Sequence, residues 1–301
     1  MDNDRIDVTV VIPTYNDNAR LALCLDALMQ QSCDCRFEVI VVDNGSKDPP
    51  LLTAYGRTVR LLCEPKPGSY SARNAGLHAA RGRIIAFTDS DCRPDPQWLQ
   101  NGVSMLDNNP AIGVLSGQVK IFFQNPQHPK TVELFDAEFA FRQEDNARQG
   151  KAVTANLFVR REVFERVGLF NEETFSGGDY EFTSRAVAHG FSLHYCADAV
   201  VFHPARDRFD EYRRKIRRTM GGAYSMRRED PRFAQLFSPQ EIAKDLLRPA
   251  KMFARLLGKI SCGERSFLEV VRIMLVVLHN QAFKVVVKLA YLSGLKRTFQ
   301  R

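Results

Sequence analysis

The chain has 301 residues, 45% of them hydrophobic, which is typical of a globular protein with one large domain or one domain and an appendage. Its formal net charge is +7, and the excess lies near the C-terminus, where eleven Lys and Arg face two acids from Arg248 onward. No signal-peptide core is found near the N-terminus, and the longest apolar stretch, 273–278, is too short to cross a bilayer. A secretory leader and a membrane span are therefore not expected, and we predict a cytoplasmic protein that is soluble or peripheral.

The seven cysteines are an odd number and lack the regular spacing of a disulfide framework. Cys33 and Cys35 form a C-x-C pair, but no second Cys or His pair follows at zinc spacing. We therefore expect free thiols in a reducing compartment, most of them small buried side chains.

Strand and helix patterns alternate through the first hundred residues. Short, nearly continuous apolar runs predict buried strands, and apolar residues at helical spacing predict helices between them. The strands are expected at 8–12, 37–42, 59–63 and 84–87, and the helices after residue 17 and at 69–80. Such a βαβ succession forms a parallel sheet, whose strand-end loops at 13–16, 43–46 and 89–91 gather along one edge.

Asp89 and Asp91 follow the fourth of these strands directly, so we expect them at the edge where open α/β sheets bind ligands. Two hard oxygen ligands suit Mg²⁺ or Mn²⁺, which keep open positions for substrate phosphates. On its own, an Asp-x-Asp pair is more typical of a solvated turn, and the neighbouring strand-end loops are what favour a metal site. The dinucleotide fingerprint and the P-loop motif are both absent, which argues against a nicotinamide enzyme and a Walker-type ATPase.

The second half of the chain is expected to mix strands and helices. The strands are predicted at 112–123 (as one or two), 153–159, 192–196 and 199–202, and the helices around Trp98 and at 131–149, 161–167 and 180–189. Trp98 itself is interpreted as a core residue rather than a platform for a sugar.

Six motifs stand at or near the predicted strand ends. They are Val11-Ile12-Pro13-Thr14-Tyr15-Asn16, Val41-Val42-Asp43-Asn44-Gly45-Ser46-Lys47-Asp48, Gly68-x-x-x-Ala72-Arg73-Asn74-x-Gly76, Phe87-Thr88-Asp89-Ser90-Asp91, Ala155-Asn156-Leu157-x-x-Arg160-Arg161-x-x-Phe164-x-x-Val167-Gly168-x-Phe170 and Gly178-Asp179-x-Glu181-Phe182-x-x-Arg185. In order and interval, this set resembles glycosyltransferase family two over roughly residues 6–205. The resemblance implies the GT-A fold, a Rossmann-like and mostly parallel α/β sheet flanked by helices. It also implies inverting, metal-assisted transfer of a sugar from a nucleotide sugar to an acceptor.

The resemblance further implies a donor site and a metal site. The residues implied for the nucleotide sugar, most often a uridine one, are Pro13, Thr14, Tyr15, Asp43, Ser46, Arg73, Asp89 and Asn156. Asp91 is the surer ligand of Mn²⁺ or Mg²⁺, and Asp89 serves both ribose and metal. His203 is a third candidate ligand, because related enzymes often have a histidine there; a histidine in a surface turn is an equal alternative.

Asp179 matches the general base of the family. A single in-line displacement requires one carboxylate to accept the proton of the acceptor hydroxyl. Since Asp179 leads a predicted helix, a helix cap is the alternative role. The chain departs from the family at Gly178, where an acidic residue is usual, so handling of the acceptor is expected to differ.

The C-terminal region is basic and predicted to be mainly helical. Nine Lys and Arg face three acids between Arg206 and Arg228, and an Arg there is expected to reach the diphosphate. Further along, Lys251, Arg255 and Lys259 share one helical face, and Gln281, Lys284 and Lys288 form a polar stripe on another helix. Basic amphipathic helices suit an anionic membrane surface carrying a lipid-linked acceptor, and a helical appendage with a solvated basic face is the alternative.

The sequence therefore predicts a GT-A domain at 1–205, with a nucleotide-sugar half at 1–125 and an acceptor half at 126–205, and a basic helical region at 206–301. The expected function is glycosyl transfer in polysaccharide or glycoconjugate assembly. A nucleotidyltransferase is disfavoured because it needs a Gly-rich, basic loop after the first strand. A nucleic-acid binder is disfavoured because the positive charge lies outside the motifs and no such binding motif occurs, so no nucleic-acid partner is expected. A catalytically inactive relative is disfavoured because Asp89, Asp91 and Asp179 are all present.

Overall fold

A computed structural model of the chain describes residues 5–174, 176–228 and 231–295, and these form two compact units. The first unit comprises 5–120, 141–174 and 178–204. The second comprises 121–140, 176–177 and 205–295. Phe175 of the loop before Asp179 and the basic end at 296–301 lie outside the described residues.

Twenty elements follow one another along the described chain. Up to residue 107 they are β1 (Val8–Thr14), α1 (Asn18–Met29), β2 (Phe37–Asp43), a 3₁₀ helix (Thr53–Thr58), β3 (Val59–Cys63), α2 (Ser69–Ala79), β4 (Ile84–Thr88), β5 (Arg93–Pro94) and α3 (Trp98–Asp107). The remainder are β6 (Ile112–Phe122), α4 (Thr131–Phe139), α5 (Gln143–Ala147), β7 (Asn156–Arg160), α6 (Arg161–Val167), α7 (Gly178–Ala188), β8 (Ser192–Pro204), α8 (Phe209–Met226), α9 (Pro231–Gln235), α10 (Pro239–Ser261) and α11 (Phe267–Leu292).

The eight strands form one sheet in the order β3-β2-β1-β4-β7-β6-β8-β5. Strands β3, β2, β1 and β4 are parallel, and β7 then pairs antiparallel with both β4 and β6. This confirms the expected α/β sheet with a parallel half, and adds an antiparallel half. Because the parallel strands share a direction, β1, β2 and β4 end at the same edge of the sheet, and their last residues are Thr14, Asp43 and Thr88.

The antiparallel half brings a distant residue to that edge. β5 pairs with β8, with Arg93 opposite Phe202. The short β5 follows Asp91 by only two residues, and His203 follows Phe202. The pairing therefore places the Asp-x-Asp loop beside the end of β8, across more than a hundred residues of chain.

Two apolar layers hold the sheet from its opposite faces. One contains Trp98 and Leu25 with the inward residues of β1 and β2, and the other contains Phe87, Phe164 and Phe182. Trp98 is fully buried, which confirms its core role. The strands are apolar on both sides because both faces are covered by helices.

The largest differences from the predicted bounds are three. The helix expected at 131–149 is divided into α4 and α5 at Phe141, whose φ of +49° is a left-handed value that bulky side chains seldom adopt. The two strands expected at 192–196 and 199–202 are one strand, β8. Strand β1 continues through Pro13, which is tolerated because its register with β4 ends at Val11.

The cysteines are not all free. Cys33 and Cys35 are joined as a disulfide, contrary to the expectation of free thiols throughout. The two residues are close enough because the chain turns between α1 and β2, and their Cα atoms are 5.2 Å apart. Of the other five, Cys24, Cys92 and Cys196 are buried and Cys63 and Cys262 are exposed.

The second unit is helical. α11 packs against α4, α8 and α10, and its buried side chains include Ile273, Val276 and Val277. Asp245 on α10 is completely buried and receives hydrogen bonds from Lys288 at 2.6 Å and Lys284 at 2.9 Å. Burial alone would raise the pKa of Asp245, but the two lysine hydrogen bonds hold it below its usual value.

This arrangement corrects the predicted orientation of α11. Lys284 and Lys288 do not form a solvated polar stripe, because both point inward to Asp245, and Lys288 is only 1% exposed. The exposed positions of α11 instead carry apolar side chains: Phe267, Leu268, Val271, Leu275, Leu278, Ala282, Val286, Leu289 and Leu292. They recur every three or four residues and form a stripe along the helix. We call this surface the outer stripe of α11.

By length and composition, α11 is also the one helix in the described part of the chain that could cross a membrane. The apolar run at 273–278 is short because His279, Asn280 and Gln281 interrupt it, but the helix itself extends over Phe267–Leu292. A core helix of a soluble protein meets the same criterion, and a third of this segment is buried within the structure.

Candidate active site

Three strand-end loops are tied together by short polar contacts at the edge of the sheet. Asp43 accepts the backbone N–H of Ser46 at 3.2 Å, and the Ser46 hydroxyl accepts the N–H of Asn16 at 2.7 Å. The side chain of Asn16 in turn accepts the N–H of Lys47 at 2.9 Å. These bonds hold the ends of β1 and β2 in a fixed relation, so that Asp43 and Ser46 are brought together as predicted.

Asn44 extends this network to a third loop. Its amide group donates to the carbonyls of Glu64 and Lys66, both at 2.8 Å, and its carbonyl accepts the N–H of Gly68 at 2.8 Å. Asn44 belongs to the second of the sequence motifs, but the motif alone does not predict this role. The signal was an asparagine directly after a buried strand, where a side-chain amide can replace missing backbone partners.

The edge also carries buried polar atoms that have no hydrogen-bond partner among the described residues. They are Thr14 Oγ1 at the end of β1, and Ser71 Oγ and Arg73 Nε on α2. Tyr15, by contrast, is 44% exposed. Buried polar atoms are nearly always paired in folded proteins. Unpaired ones at a ligand-binding edge are suited to a polar ligand.

The candidate metal ligands lie close together. One ligand atom each from Asp89, Asp91, Cys92 and His203 lies within 4.8 Å of the others. His203 is 4% exposed, and its Nε2 is 3.6 Å from Asp91 Oδ1. Its Nδ1 is 2.7 Å from the Pro204 carbonyl. Since a carbonyl can only accept, Nδ1 donates to it, and Nε2 is the ring atom directed at Asp91 and available to a metal ion.

This donor set fits a divalent cation. Two carboxylates and a neutral imidazole are suitable ligands for Mn²⁺, whereas the fourth member is not. Burial, reinforced by the charge of Asp91, raises the pKa of the Cys92 thiol well above its usual range, so it stays protonated. Cys92 therefore fills space beside the site, and Asp89, Asp91 and His203 are the residues that could hold the ion.

Two arginines neutralise the carboxylates. Arg73 is 4% exposed and donates to Asp89 at 2.6 Å, and Arg20 lies 3.4 Å from Asp91. Arg20 also pairs with Asp17 at 2.7 Å. Arg73 could be identified from its motif, whereas Arg20 could not, because it stands on α1 ahead of an apolar run and belongs to no motif.

Asp179 lies in the first turn of α7 and is half-buried. Its Oδ1 accepts the Tyr70 hydroxyl at 3.1 Å and the N–H of Tyr180 at 3.0 Å. Burial raises the pKa of Asp179, and the nearby charge of Arg73 offsets part of that increase. A carboxylate with a raised pKa is a stronger base than an exposed one. Tyr70, which the sequence analysis did not single out, is its side-chain partner.

Asn156 lies opposite Thr88, but its side chain is engaged within the sheet. It is completely buried in β7, where its oxygen accepts the Trp98 indole N–H at 2.9 Å. Its amide donates to the carbonyls of Gln118 and Ala199, both at 2.8 Å. The donors and the acceptor of this side chain are thus hydrogen-bonded inside the sheet, and we do not assign it to a sugar.

Comparisons with known proteins agree with this geometry. The model of glycosyl transferase family 2 matches residues 9–168. The chain is 37% identical over 207 residues to the glycosyltransferase AglE of Haloferax volcanii, which covers 66% of this chain and 67% of that protein. It is 26% identical over 217 residues to the pre-mycofactocin glycosyltransferase of Mycobacterium tuberculosis, covering 68% of this chain and 44% of the relative.

A solved structure shares the fold. The mannosyltransferase PcManGT of Pyrobaculum calidifontis, in complex with GDP-Man and Mn²⁺, superposes with a TM-score of 0.63 at 20% identity, covering 98% of this chain and 89% of that one. The family match, the relatives and the sheet topology together confirm the resemblance found in the sequence. The chain therefore belongs to glycosyltransferase family 2 and is a glycosyltransferase with the GT-A fold.

Proposed function

We propose that the protein transfers a sugar from a nucleoside diphosphate sugar to an acceptor hydroxyl with inversion, assisted by Mn²⁺ or Mg²⁺. The observation that carries this proposal is that one side chain, the Arg73 guanidinium, interacts with both the candidate metal site and the candidate base. Arg73 pairs with Asp89 of the metal set, and its charge also acts on Asp179. A metal-binding edge and a basic carboxylate are the two components that an inverting transfer requires.

The donor lies along the edge formed by the three tied loops. Asp43 and Ser46, with Pro13, Thr14 and Tyr15, are assigned to the base and ribose, and Arg73 to the phosphates. The unpaired Thr14 Oγ1 and Arg73 Nε support this assignment, because a ligand would supply their missing partners. We propose a uridine donor, and guanosine is the alternative to test beside it, since the neighbouring mannosyltransferase was solved with GDP-Man.

Each protein group has a distinct task in the transfer. A divalent ion bound by Asp89, Asp91 and His203 would neutralise charge on the leaving diphosphate. Asp179 accepts the proton of the acceptor hydroxyl as its oxygen attacks the sugar carbon from the side opposite the diphosphate. The raised pKa of Asp179 strengthens it as a base, while leaving it ionised above that pKa.

For the acceptor, we propose a lipid-linked glycan at the cytoplasmic face of an anionic membrane, in polysaccharide or glycoconjugate assembly. Two observations on the second unit support this. The outer stripe of α11 exposes apolar side chains on a helix of 26 residues. Residues 205–295 carry nineteen Lys and Arg against nine acids, which favours negatively charged lipid. We therefore propose that the apolar side chains of the outer stripe insert into the membrane while the basic side chains bind its anionic headgroups. Vesicle co-sedimentation measures this binding.

The donor site is tested by thermal shift and calorimetry with UDP, GDP and their sugars, with and without Mn²⁺. A ligand that binds only the folded state raises its melting temperature by mass action. We expect a shift that depends on Mn²⁺ and is lost in Asp91→Ala. No shift with any nucleotide would overturn the proposed donor site, and a shift with guanosine nucleotides alone would replace the uridine assignment.

A further inference from the structure

Gly178 lies directly before the proposed base, at a position where there is no room for a side chain. A Cβ built there would lie 2.7 Å from Thr174 Oγ1 and 2.8 Å from Tyr70 Cε2, distances that real Cβ atoms essentially never show. Its φ is not among the positive values of the chain, so backbone conformation does not explain the glycine. The volume that a side chain would need at this position is taken by the Tyr70 ring and by Thr174.

Tyr70 is held rigidly in that space. It is 5% exposed, and its ring stacks on Phe170 with centroids 5.7 Å apart. The Arg73 guanidinium lies 5.6 Å from the ring centroid, one helical turn further along α2. These contacts account for an aromatic ring at this position. They do not account for the hydroxyl, whose hydrogen-bond partner is Asp179 Oδ1.

We propose that Tyr70 is a positioning residue for the general base, and that Gly178 is the gap that admits its ring. The hydroxyl donates to Oδ1 of Asp179 together with the Tyr180 N–H, which fixes the orientation of the carboxylate that accepts the acceptor proton. This inference rests on the proposed role of Asp179. Tyr70 does not touch the reacting atoms, and it acts only through the carboxylate.

The groups around the carboxylate give the direction of the effect. Asp179 faces Tyr70 and Arg73 from α2, Tyr180 from its own helix and a backbone hydrogen bond from Thr154. Burial raises the pKa of the Tyr70 phenol, so it remains a donor across the working pH range. A donor to a carboxylate stabilises its charged form. Removing the phenol should therefore raise the pKa of Asp179 further.

The test is the pH profile of transfer by Tyr70→Phe, which keeps the ring and removes only the hydroxyl. Activity requires ionised Asp179, so it is present above the pKa of that residue and lost below it. We expect the acid limb of kcat to move to higher pH, kcat at neutral pH to fall about tenfold, as for the loss of one hydrogen bond to a charged group, and the KM for the donor to stay unchanged. Tyr212→Phe is the matched control, because it removes a buried phenol that donates to Asp136 in the second unit.

A double-mutant cycle tests the role of Gly178. Gly178→Ala should lower kcat when Tyr70 is present, and should lower it less in a Tyr70→Leu background, where the ring is gone and only the contact with Thr174 Oγ1 remains. If Asp179→Asn is inactive but Tyr70→Phe keeps the wild-type acid limb and kcat, this inference is overturned while the base assignment stands. If Asp179→Asn retains full turnover, the base assignment itself fails. Should Gly178→Ala not fold, the Tyr70→Phe profile decides the matter alone.

Discussion

Polar side chains are arranged differently in two regions, the sheet edge of the first unit and helix α11 of the second. At the sheet edge, two carboxylates, an imidazole and an arginine are brought together near the ends of β4 and β8. Along α11, the lysines turn inward to Asp245 and leucine and valine remain outside. The first surface is suited to a charged, metal-bound ligand, whereas the second is suited to an apolar one. These are the two surfaces that we propose for the nucleotide sugar and for lipid.

Removing a metal ligand should have the largest effect and would break the first half of this comparison. We expect Asp91→Ala to lower the transfer rate about a thousandfold, because a metal contributes several kcal/mol to transition-state stabilisation. Initial rates and Mn²⁺ titrations measure this. Cys92→Ala is the adjacent control and should keep its metal affinity, since the protonated thiol is not a ligand. A full rate in Asp91→Ala would show that the edge is not a metal site.

The inward lysines of α11 can be tested through stability. Asp245→Asn leaves Lys288 buried without its charged partner, and breaking a buried pair from one side costs about 3 kcal/mol or more. Urea unfolding should show that loss, and Asp245→Asn combined with Lys288→Met should recover part of it. A change below about 1 kcal/mol, the range of surface ion pairs, would mean that Lys288 is solvated and that α11 is oriented as the sequence first suggested.

Vesicle binding tests the outer stripe directly. A buried leucine contributes about 1.5–3 kcal/mol, so Leu275→Glu with Leu278→Glu should weaken binding to phosphatidylglycerol vesicles about a hundredfold. Leu51→Glu, at a leucine that is 90% exposed in the first unit, is the matched control and should change nothing. Lys251→Glu with Arg255→Glu should have a smaller, salt-dependent effect. Wild-type protein that does not bind these vesicles would remove the membrane from the proposal.

The smallest effect on the site is expected at Asn156. Asn156→Ala strands the Trp98 indole and two carbonyls in the core, and each unsatisfied group costs about 1–3 kcal/mol. Thermal unfolding should report that loss, while the KM for the donor stays within about twofold, a change of less than 0.5 kcal/mol. A donor KM that rises sharply at unchanged stability would return Asn156 to the sugar.

The two regions also differ in how far the sequence could predict them. At the sheet edge, Asp43, Asp89 and Asp91 directly follow apolar strands, and parallel strands must end together, so local pattern determines the arrangement. His203 reaches the site because β5 pairs with β8, and Tyr70 reaches Asp179 because α2 lies beside the start of α7. No local sequence pattern encodes either of these long-range contacts. The family resemblance identified His203 as a candidate ligand, whereas no feature of the sequence identified Tyr70.

The orientation of α11 could not be read from periodicity. Lys284 and Lys288 form a polar stripe in either orientation, and the outcome depends on Asp245, some forty residues earlier on another helix. A buried acid makes the inward face the favourable one for the lysines. Asn156 was misjudged for a related reason, because an asparagine in a motif can serve a ligand or a sheet, and only its partners distinguish the two.

The most direct test of the central claim is turnover by Asp179→Asn, with donor affinity measured on the same preparation by calorimetry. Asparagine keeps the size of the side chain but cannot accept the acceptor proton. General-base catalysis contributes about 10²–10⁴-fold, so we predict a rate loss in that range with donor affinity unchanged. Undiminished turnover would contradict the account, because the carboxylate that Arg73 links to the metal set would then not be the base.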